Sequence, residues 1–206
     1  MSKTKRGVFI CIEGIDASGK TTQARRLVRN LKLRSFDAVY TTEPSRGKVG
    51  EFVRRYVLDR KRRLPIAVEA LLFAADRVDH VETRIKSWLE KGKIVVCDRY
   101  IYSTLAYQGA AGLSSNWIEQ LNRFALVPDV ALFLDVPPEI VLKRLNQRRS
   151  VMETWKNQRK VREMYMKMVE NKRLILIDGN KPISDVAQAV LTIVLDFLKR
   201  SQGFSS

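Results

Sequence analysis

Gly14 opens an eight-residue segment, GIDASGKT, whose glycines, lysine and threonine have the spacing of a phosphate-binding loop. Glycines let backbone amides turn toward phosphate oxygens, and the helix that follows adds partial positive charge at its N-terminus. We expect Lys20 to reach the β and γ phosphates of a nucleoside triphosphate and the Thr21 hydroxyl to ligate Mg²⁺. The expected site for the donor nucleotide comprises Gly14, Ile15, Asp16, Ala17, Ser18, Gly19, Lys20, Thr21 and Thr22.

The setting of this loop supports the interpretation. The loop follows the apolar run VFICIE and precedes a segment of helical periodicity, which is the strand–loop–helix context that the motif requires. The motif predicts nucleotide binding but not the reaction, because switches, motors, DNA-remodelling ATPases and small kinases share it.

A second charged pair, Asp98-Arg99, directly follows the apolar run IVVC. Ligands of open parallel sheets lie beyond the carboxyl ends of the strands, so this pair is well placed to meet a nucleotide. We expect Asp98 either to hold Mg²⁺ through water or to orient Arg99.

The elements that position these residues alternate along the chain, which predicts an α/β fold with a mostly parallel sheet and helices on both faces. The predicted buried strands are Val8–Glu13, Ala38–Thr42, Ile94–Asp98, Val130–Asp135 and Leu174–Asp178. The predicted helices are Lys20–Leu33, Gly47–Asp59, Pro65–Lys91, Ser114–Phe124, Pro138–Arg148, Met152–Glu170 and Ile183–Lys199. A single domain over residues 1–206 is the simplest organisation.

Composition places the chain among globular proteins with anionic partners. Hydrophobic residues make up 45% of the sequence, and 38 Lys and Arg against 22 Asp and Glu give a net charge of +16. The basic residues cluster at Arg54–Arg63, to which the sequence assigns no role, and at Lys143–Arg162. Cys11 and Cys97 lie inside apolar runs and are expected to pack as small hydrophobic side chains, which fits a reducing cytoplasm. We find no apolar window long enough for a transmembrane helix, so we expect a cytoplasmic protein without a membrane partner.

Four segments resemble those of the thymidylate (dTMP) kinases. They are FICIEGIDASGKTTQ, TTEPSRG after the second strand, LLFAADR, and DRYIYSTLAYQG after the third strand. The segments follow the order of the family and together cover most of the chain. The resemblance implies a P-loop NTPase three-layer sandwich with a five-stranded parallel sheet and a lid. It also implies Mg²⁺-dependent phosphoryl transfer from ATP to dTMP, and a homodimer.

The resemblance assigns the acceptor base to the helix that carries LLFAADR. Phe73 stacks on thymine in this interpretation, and Arg77, four residues later on the same helical face, reaches the edge of the base. The alternatives are a core aromatic at Phe73 and a surface ion pair of Arg77 with Asp76 or Asp79.

The resemblance also assigns the phosphate and sugar of dTMP. Arg99 and Arg46 bind the acceptor phosphate, and Pro44 fixes the turn that presents Arg46. Asp16 contacts the 3′-hydroxyl of the deoxyribose, because a carboxylate next to phosphates needs a separate partner. The Pro-x-Arg spacing of this turn resembles the eukaryotic and viral members more than the bacterial ones.

The segment that follows Asp98-Arg99 contains three residues that are expected to surround the deoxyribose and the base. Tyr107 favours 2′-deoxy substrates by excluding a hydroxyl, Gln108 closes over the nucleotide, and Ser103 faces the base. The alternative for each is core packing or a place on a helix surface. The single histidine, His80, is expected to have a packing or surface role, because an ionised phosphate acceptor needs no general base.

Ala17 bears on the source of a catalytic arginine. One class of thymidylate kinases has an arginine at this position of the phosphate loop, and the other supplies it from a lid. The basic cluster Lys143–Arg162 lies where the family has its lid, which we place at about residues 143–158. We expect either Arg148 or Arg149 to fold over the γ-phosphate, and Arg144 to stack on adenine.

Two other functions stay open at this point. The chain has Asp-Arg-Tyr where nucleoside kinases commonly have Glu-Arg-Ser, but phosphorylation of another monophosphate or of a nucleoside is an alternative. The net charge of +16 suggests a nucleic-acid-stimulated ATPase. We see no nucleic-acid motif and no interleaving of aromatic and basic residues, so we expect no nucleic-acid partner.

Overall fold

The structure, a computed structural model, describes residues 6–58, 64–144 and 155–202. Within these ranges one parallel five-stranded sheet has the order β2-β3-β1-β4-β5. Its strands are β1 (Val8–Glu13), β2 (Ala38–Thr42), β3 (Ile94–Asp98), β4 (Val130–Asp135) and β5 (Ile175–Asp178). The helices are α1 (Lys20–Lys32), α2 (Lys48–Tyr56), α3 (Ile66–His80), α4 (Lys86–Glu90), α5 (Ile101–Ala110), α6 (Ser115–Leu121), α7 (Pro138–Arg144), α8 (Trp155–Glu170) and α9 (Ile183–Gln202).

The sheet confirms the α/β prediction, and the apolar runs explain it. Apolar side chains fill both faces of β1, β3 and β4, which are buried because strands flank them and helices cover them. The expectation of a buried fifth strand is wrong. Only Ile177 of β5 is buried, because this strand lies at the edge of the sheet and has β4 as its sole neighbour among the described strands.

Alternating side chains of the strands feed two separate cores, as the pleat of a sheet requires. Phe9, Cys11 and Phe133 belong to the core that α5 and α8 cover, whereas Ile10 and Leu132 belong to the core that α1 and α9 cover. The result is the expected three-layer sandwich. Both thiols are fully buried and unlinked, in agreement with the packing role predicted for Cys11 and Cys97, and burial raises the pKa of each.

The helices depart from the predictions in two places. The predicted helix 65–91 is continuous, but a π-helical turn, Val81–Ile85, joins α3 to α4. Helix α5 is absent from the predictions, because its sequence IYSTLAYQGA has a weak helical period and several β-branched and aromatic residues. The predicted lid, residues 143–158, lies largely outside the described ranges. No helix within those ranges is both long enough and apolar enough to cross a membrane.

Candidate active site

The phosphate loop connects β1 to α1 through a backbone that few residue types permit. Gly14 has φ +155°, and a β-carbon there would lie 2.5 Å from the Ser18 Oγ and 2.9 Å from the Leu134 carbonyl oxygen. Ala17 also adopts a left-handed conformation, with φ +56°. The first turn of α1 contains no acidic residue, so the helix itself contributes no negative charge that would oppose an anion at its N-terminus. The loop is therefore shaped to receive an anion.

Lys20 folds back over this loop. Its Nζ donates to the Ile15 carbonyl oxygen at 2.6 Å and lies 3.5 Å from the Ser18 Oγ. Burial, together with the positive charge of Arg99, lowers the pKa of Lys20 to about 8. An ammonium held among carbonyl and hydroxyl oxygens is poised to exchange these partners for phosphate oxygens, which bind it more strongly.

Thr21 and Asp98 meet at the carboxyl end of β3, as their predicted metal-binding role requires. The Thr21 hydroxyl donates to Asp98 Oδ2, and the Tyr40 hydroxyl lies 3.3 Å from the same oxygen. Asp98 Oδ1 is buried and has no hydrogen-bond partner among the described residues. A hydroxyl beside an unsatisfied carboxylate oxygen suits Mg²⁺, which prefers hard oxygen ligands and retains several waters. No cluster of three or more His, Cys, Asp or Glu that could hold a metal occurs in the described ranges.

Arg99 stands in a left-handed backbone conformation, φ +72°, immediately after β3. Its guanidinium forms an ion pair with Asp16, donates to the Ser103 Oγ at 3.0 Å and lies over the Tyr107 ring at 5.2 Å. Burial by itself raises the pKa of Asp16, but the charges of Arg99 and Lys20, with hydrogen bonds from Tyr107 and Arg99, together outweigh burial and lower this pKa. The structure thus brings four residues of the predicted acceptor site together: Asp16, Arg99, Ser103 and Tyr107.

Glu13 supports this cluster and was absent from the sequence predictions. Its fully buried carboxylate accepts hydrogen bonds from the Tyr100 amide at 2.8 Å, the Ser103 hydroxyl at 2.6 Å and the Tyr165 hydroxyl at 3.0 Å. Burial raises the pKa of Glu13. The carboxylate thereby holds the start of α5, which begins at Ile101, two residues after Arg99. The sequence does carry a signal for this supporting role, because Glu13 is a carboxylate at the end of an otherwise apolar strand.

Arg77 is not on the surface and does not pair with Asp76 or Asp79. It is 2% exposed and forms a 2.9 Å ion pair with Glu43, which is also buried. Its two terminal nitrogens donate to Asn122 Oδ1 and, at 3.1 Å, to Thr104 Oγ1. Three protein side chains therefore already hold this guanidinium. Its expected contact with the edge of the base stays a prediction.

The other predicted residues lie on the same helices or in nearby turns. Phe73 is half-buried, one turn before Arg77, and Gln108 is buried on α5. His80 is buried, and its ring nitrogens lie 2.7 Å from Thr41 Oγ1 and 3.3 Å from Glu43 Oε1, so it joins a hydrogen-bonded network and does not lie on the surface.

Four of the predicted cationic residues either lie toward solvent or fall outside the described part of the chain. Arg46 is exposed in the turn between β2 and α2, and Arg144 is exposed at the end of α7. Arg148 and Arg149 lie outside the described residues. Thr22 is exposed in the first turn of α1.

The parallel sheet, the loop at Gly14–Thr21 and the Thr21–Asp98 pair define a P-loop nucleotide-binding protein. The family model described as thymidylate kinase matches residues 12–190. The chain belongs to the thymidylate kinase family, and it is a phosphotransferase.

Similar proteins cover nearly the whole chain. A probable thymidylate kinase of Pyrococcus abyssi is 42% identical over 197 residues, which span 92% of this chain and 96% of that protein. A probable thymidylate kinase of Thermococcus onnurineus is 42% identical over 205 residues, or 94% of this chain and 100% of the relative. The thymidylate kinase of Caldanaerobacter subterraneus is 38% identical over 203 residues, or 94% and 98%.

Proposed function

We propose that this enzyme transfers the γ-phosphoryl group of ATP to dTMP and releases ADP and dTDP. One observation carries the proposal: Asp98 and Arg99 are consecutive residues that serve opposite halves of the site. Asp98 meets Thr21 of the phosphate loop, whereas Arg99 meets Asp16, Ser103 and Tyr107. A single turn after β3 therefore adjoins both the donor and the acceptor, which suits the positioning of two polyanions for in-line transfer.

The donor half has the groups that ATP requires. The Lys20 ammonium would leave the Ile15 carbonyl for the β and γ phosphates, where its charge opposes the charge that develops during transfer. Mg²⁺ supplies further neutralisation of the phosphates when it is bound. Thr21 would hold the ion through its hydroxyl, and Asp98 through the oxygen that now has no partner, directly or through water.

The acceptor half exchanges one ion pair for two substrate contacts. The phosphate of dTMP would draw the Arg99 guanidinium away from Asp16, and the freed carboxylate would accept a hydrogen bond from the 3′-hydroxyl of the sugar. Arg46 adds a second cation for the phosphate. A general base is unnecessary because the attacking phosphate oxygen is already ionised.

The base and sugar contacts follow from α3 and α5. Phe73 stacks on thymine, Arg77 faces the base edge, and Ser103 and Gln108 complete the pocket. Tyr107 lies over Arg99, beside the expected sugar, and disfavours a 2′-hydroxyl by occupying its space. We further propose that Arg148 or Arg149 neutralises the γ-phosphate from a lid, that Arg144 stacks on adenine, and that residues 1–206 act as one domain.

We also propose a homodimer that forms through α2 and α3. Four apolar side chains of these packed helices are substantially exposed: Phe52 46%, Tyr56 50%, Val68 38% and Leu71 48%. A second copy would cover this patch, as expected from the resemblance to homodimeric kinases. Light scattering on wild type, Phe52→Ser and the control Phe124→Ser tests the assignment, because Phe124 is 62% exposed but lies elsewhere. A monomer for Phe52→Ser alone is expected, and a monomeric wild type would contradict the proposal.

A cytoplasmic location follows from the same proposal. ATP and dTMP are metabolites of the cell interior, and two unlinked, buried thiols suit a reducing compartment.

Product analysis tests the reaction. The full chain is incubated with ATP and Mg²⁺, either with dTMP or with DNA, and the nucleotides are separated by anion-exchange chromatography. We expect equal amounts of ADP and dTDP with dTMP, and no product after EDTA is added. ATP hydrolysis that DNA stimulates, without dTDP, would contradict the proposal.

A further inference from the structure

The turn that carries Arg46 is held by two helices. This turn, residues 43–47, connects β2 to α2 and contains Pro44 and Ser45, both buried. From α2, the Arg54 guanidinium donates to two successive carbonyl oxygens: Nη2 to Pro44, and Nε to Ser45 at 3.3 Å. A planar guanidinium suits this arrangement because its fork of donors reaches two acceptors at once.

Asp76 holds the same turn from the opposite helix. One carboxylate oxygen accepts the Ser45 amide at 2.7 Å, and the other accepts the Ser45 hydroxyl at 2.6 Å. The Ser45 Oγ in turn accepts the Gly47 amide at 3.0 Å. The backbone before Arg46 is therefore held by the charged side chains of Arg54 and Asp76, and the Gly47 amide after it by the Ser45 hydroxyl, whereas the Arg46 side chain is exposed.

Gly50 brings α2 close enough for the Arg54 contacts. A β-carbon at Gly50 would lie 2.2 Å from the Ser45 carbonyl oxygen, so the helix backbone packs directly on the turn. Arg54 lies one helical turn beyond Gly50, on the same face. Arg54 and the neighbouring Arg55 are both exposed, but Arg55 makes no hydrogen bond with the turn among the described residues. Within the described part of the basic cluster Arg54–Arg63, Arg54 thus has a distinct task.

We propose that Arg54 is a positioning residue of the acceptor site: it holds the 43–47 turn so that Arg46 stands ready to bind the phosphate of dTMP. The inference rests on the proposed function, since it concerns the phosphate group that Arg46 would bind. Arg54 acts through the backbone and does not touch the substrate. Loss of the Arg54 side chain should therefore lower the affinity for dTMP and leave the affinity for ATP unchanged.

The test compares Arg54→Ala, Arg54→Lys and the matched control Arg55→Ala in the full-length enzyme. We expect Arg54→Ala to raise KM for dTMP about tenfold, the effect of losing a hydrogen bond to a charged group, with KM for ATP within about twofold of wild type. Arg54→Lys retains the positive charge but loses the planar fork of guanidinium donors. Its KM for dTMP should therefore lie between the values for wild type and for Arg54→Ala. Arg55→Ala should match wild type.

A double-mutant cycle with Arg46→Ala separates positioning from general stability. If Arg54 acts through Arg46, removing Arg54 in the Arg46→Ala background should change KM for dTMP by less than about twofold. A full tenfold effect in that background, an unchanged KM in Arg54→Ala, or equal losses for ATP and dTMP would overturn the inference. If the wild-type enzyme makes no dTDP, the proposed function fails first, and this outcome is distinguishable because it needs no variant.

Discussion

The donor and acceptor halves of the site are built in different ways. The proposed donor half is a loop of consecutive residues, Gly14–Thr21, whose backbone shape and single lysine are local properties of the sequence. The proposed acceptor residues come from the 43–47 turn, from α3, from the turn after β3, from α5 and from the phosphate loop. Two of their cations already have carboxylate partners, in the pairs Arg99–Asp16 and Arg77–Glu43. Residue spacing is enough to find a local motif such as the phosphate loop in a sequence. The acceptor half depends on packing between segments that are distant in the sequence.

The two acceptor ion pairs also differ from each other. The Arg77 and Glu43 side chains are 2% and 4% exposed, whereas those of Arg99 and Asp16 are 21% and 31% exposed. A buried ion pair holds the surrounding elements together, because separating the two charges would leave each one without a partner and without water. An accessible pair can open when a substrate phosphate competes for the arginine. We therefore assign Arg77 chiefly to the scaffold and Arg99 chiefly to the reaction.

The largest effect is expected in the donor half. Lys20→Ala should lower kcat by roughly 10²- to 10³-fold, because the ammonium opposes charge that grows during transfer. The affinity for dTMP should stay close to that of wild type, which calorimetric titration of dTMP measures. A loss of less than about tenfold in kcat would contradict the role of Lys20.

The buried ion pair gives the next largest effect, on folding. Arg77→Ala should lower the free energy of unfolding by about 3 kcal/mol, because the buried Glu43 then loses the guanidinium that balances its charge. Urea denaturation at pH 7 measures the change. Removing both charges, in Arg77→Met with Glu43→Gln, should restore part of the stability. An unfolding free energy of Arg77→Ala equal to that of wild type would mean that water reaches Glu43.

Arg99→Ala sharpens the contrast between the two pairs. We expect kcat/KM for dTMP to fall by about 50-fold, since a charged hydrogen bond to the acceptor phosphate is lost. Stability should change by less than in Arg77→Ala, because the Arg99–Asp16 pair is more accessible. Steady-state kinetics together with urea denaturation measure both quantities. If stability falls more in Arg99→Ala than in Arg77→Ala, the assignment of roles is reversed.

The smallest effect concerns the charge of Asp16. Arg99 lowers the pKa of Asp16 in the folded protein, so the pair contributes stability above the unfolded-state pKa of about 3.9, and this contribution is lost as pH falls further. Asp16→Asn should therefore reduce the free energy of unfolding at pH 7 by roughly 1 kcal/mol or less. The difference from wild type should shrink steadily as pH falls below about 3.9, toward the lowered pKa of Asp16 in the folded protein. A difference that grows toward low pH would contradict the ion pair.

The sequence predicted the strands and the donor loop well because both are local. Apolar runs gave four strands with the observed bounds and the fifth, Ile175–Asp178, within one residue. Helix α5 was missed because it depends on tertiary contacts, including the Glu13 carboxylate that accepts hydrogen bonds at its first turn. Tyr165 contacts the same carboxylate across 152 residues of sequence, a separation that no periodicity can reveal.

The acceptor half was found only through the resemblance to a family. Spacing places Phe73 and Arg77 on one helical face, but it does not indicate that Glu43, Thr104 and Asn122 surround Arg77. The role of Arg54 was equally hidden, because its partners are backbone carbonyls and carry no sequence signal.

Selectivity among monophosphates tests the central claim most directly. The measurement is kcat/KM for dTMP, dUMP, dCMP and UMP with saturating ATP and Mg²⁺. We predict that dTMP is preferred by at least about tenfold over dCMP and UMP, because these differ at the base edge or at the 2′-carbon near Tyr107. A value for UMP or dCMP equal to or above that for dTMP would contradict the acceptor site described above.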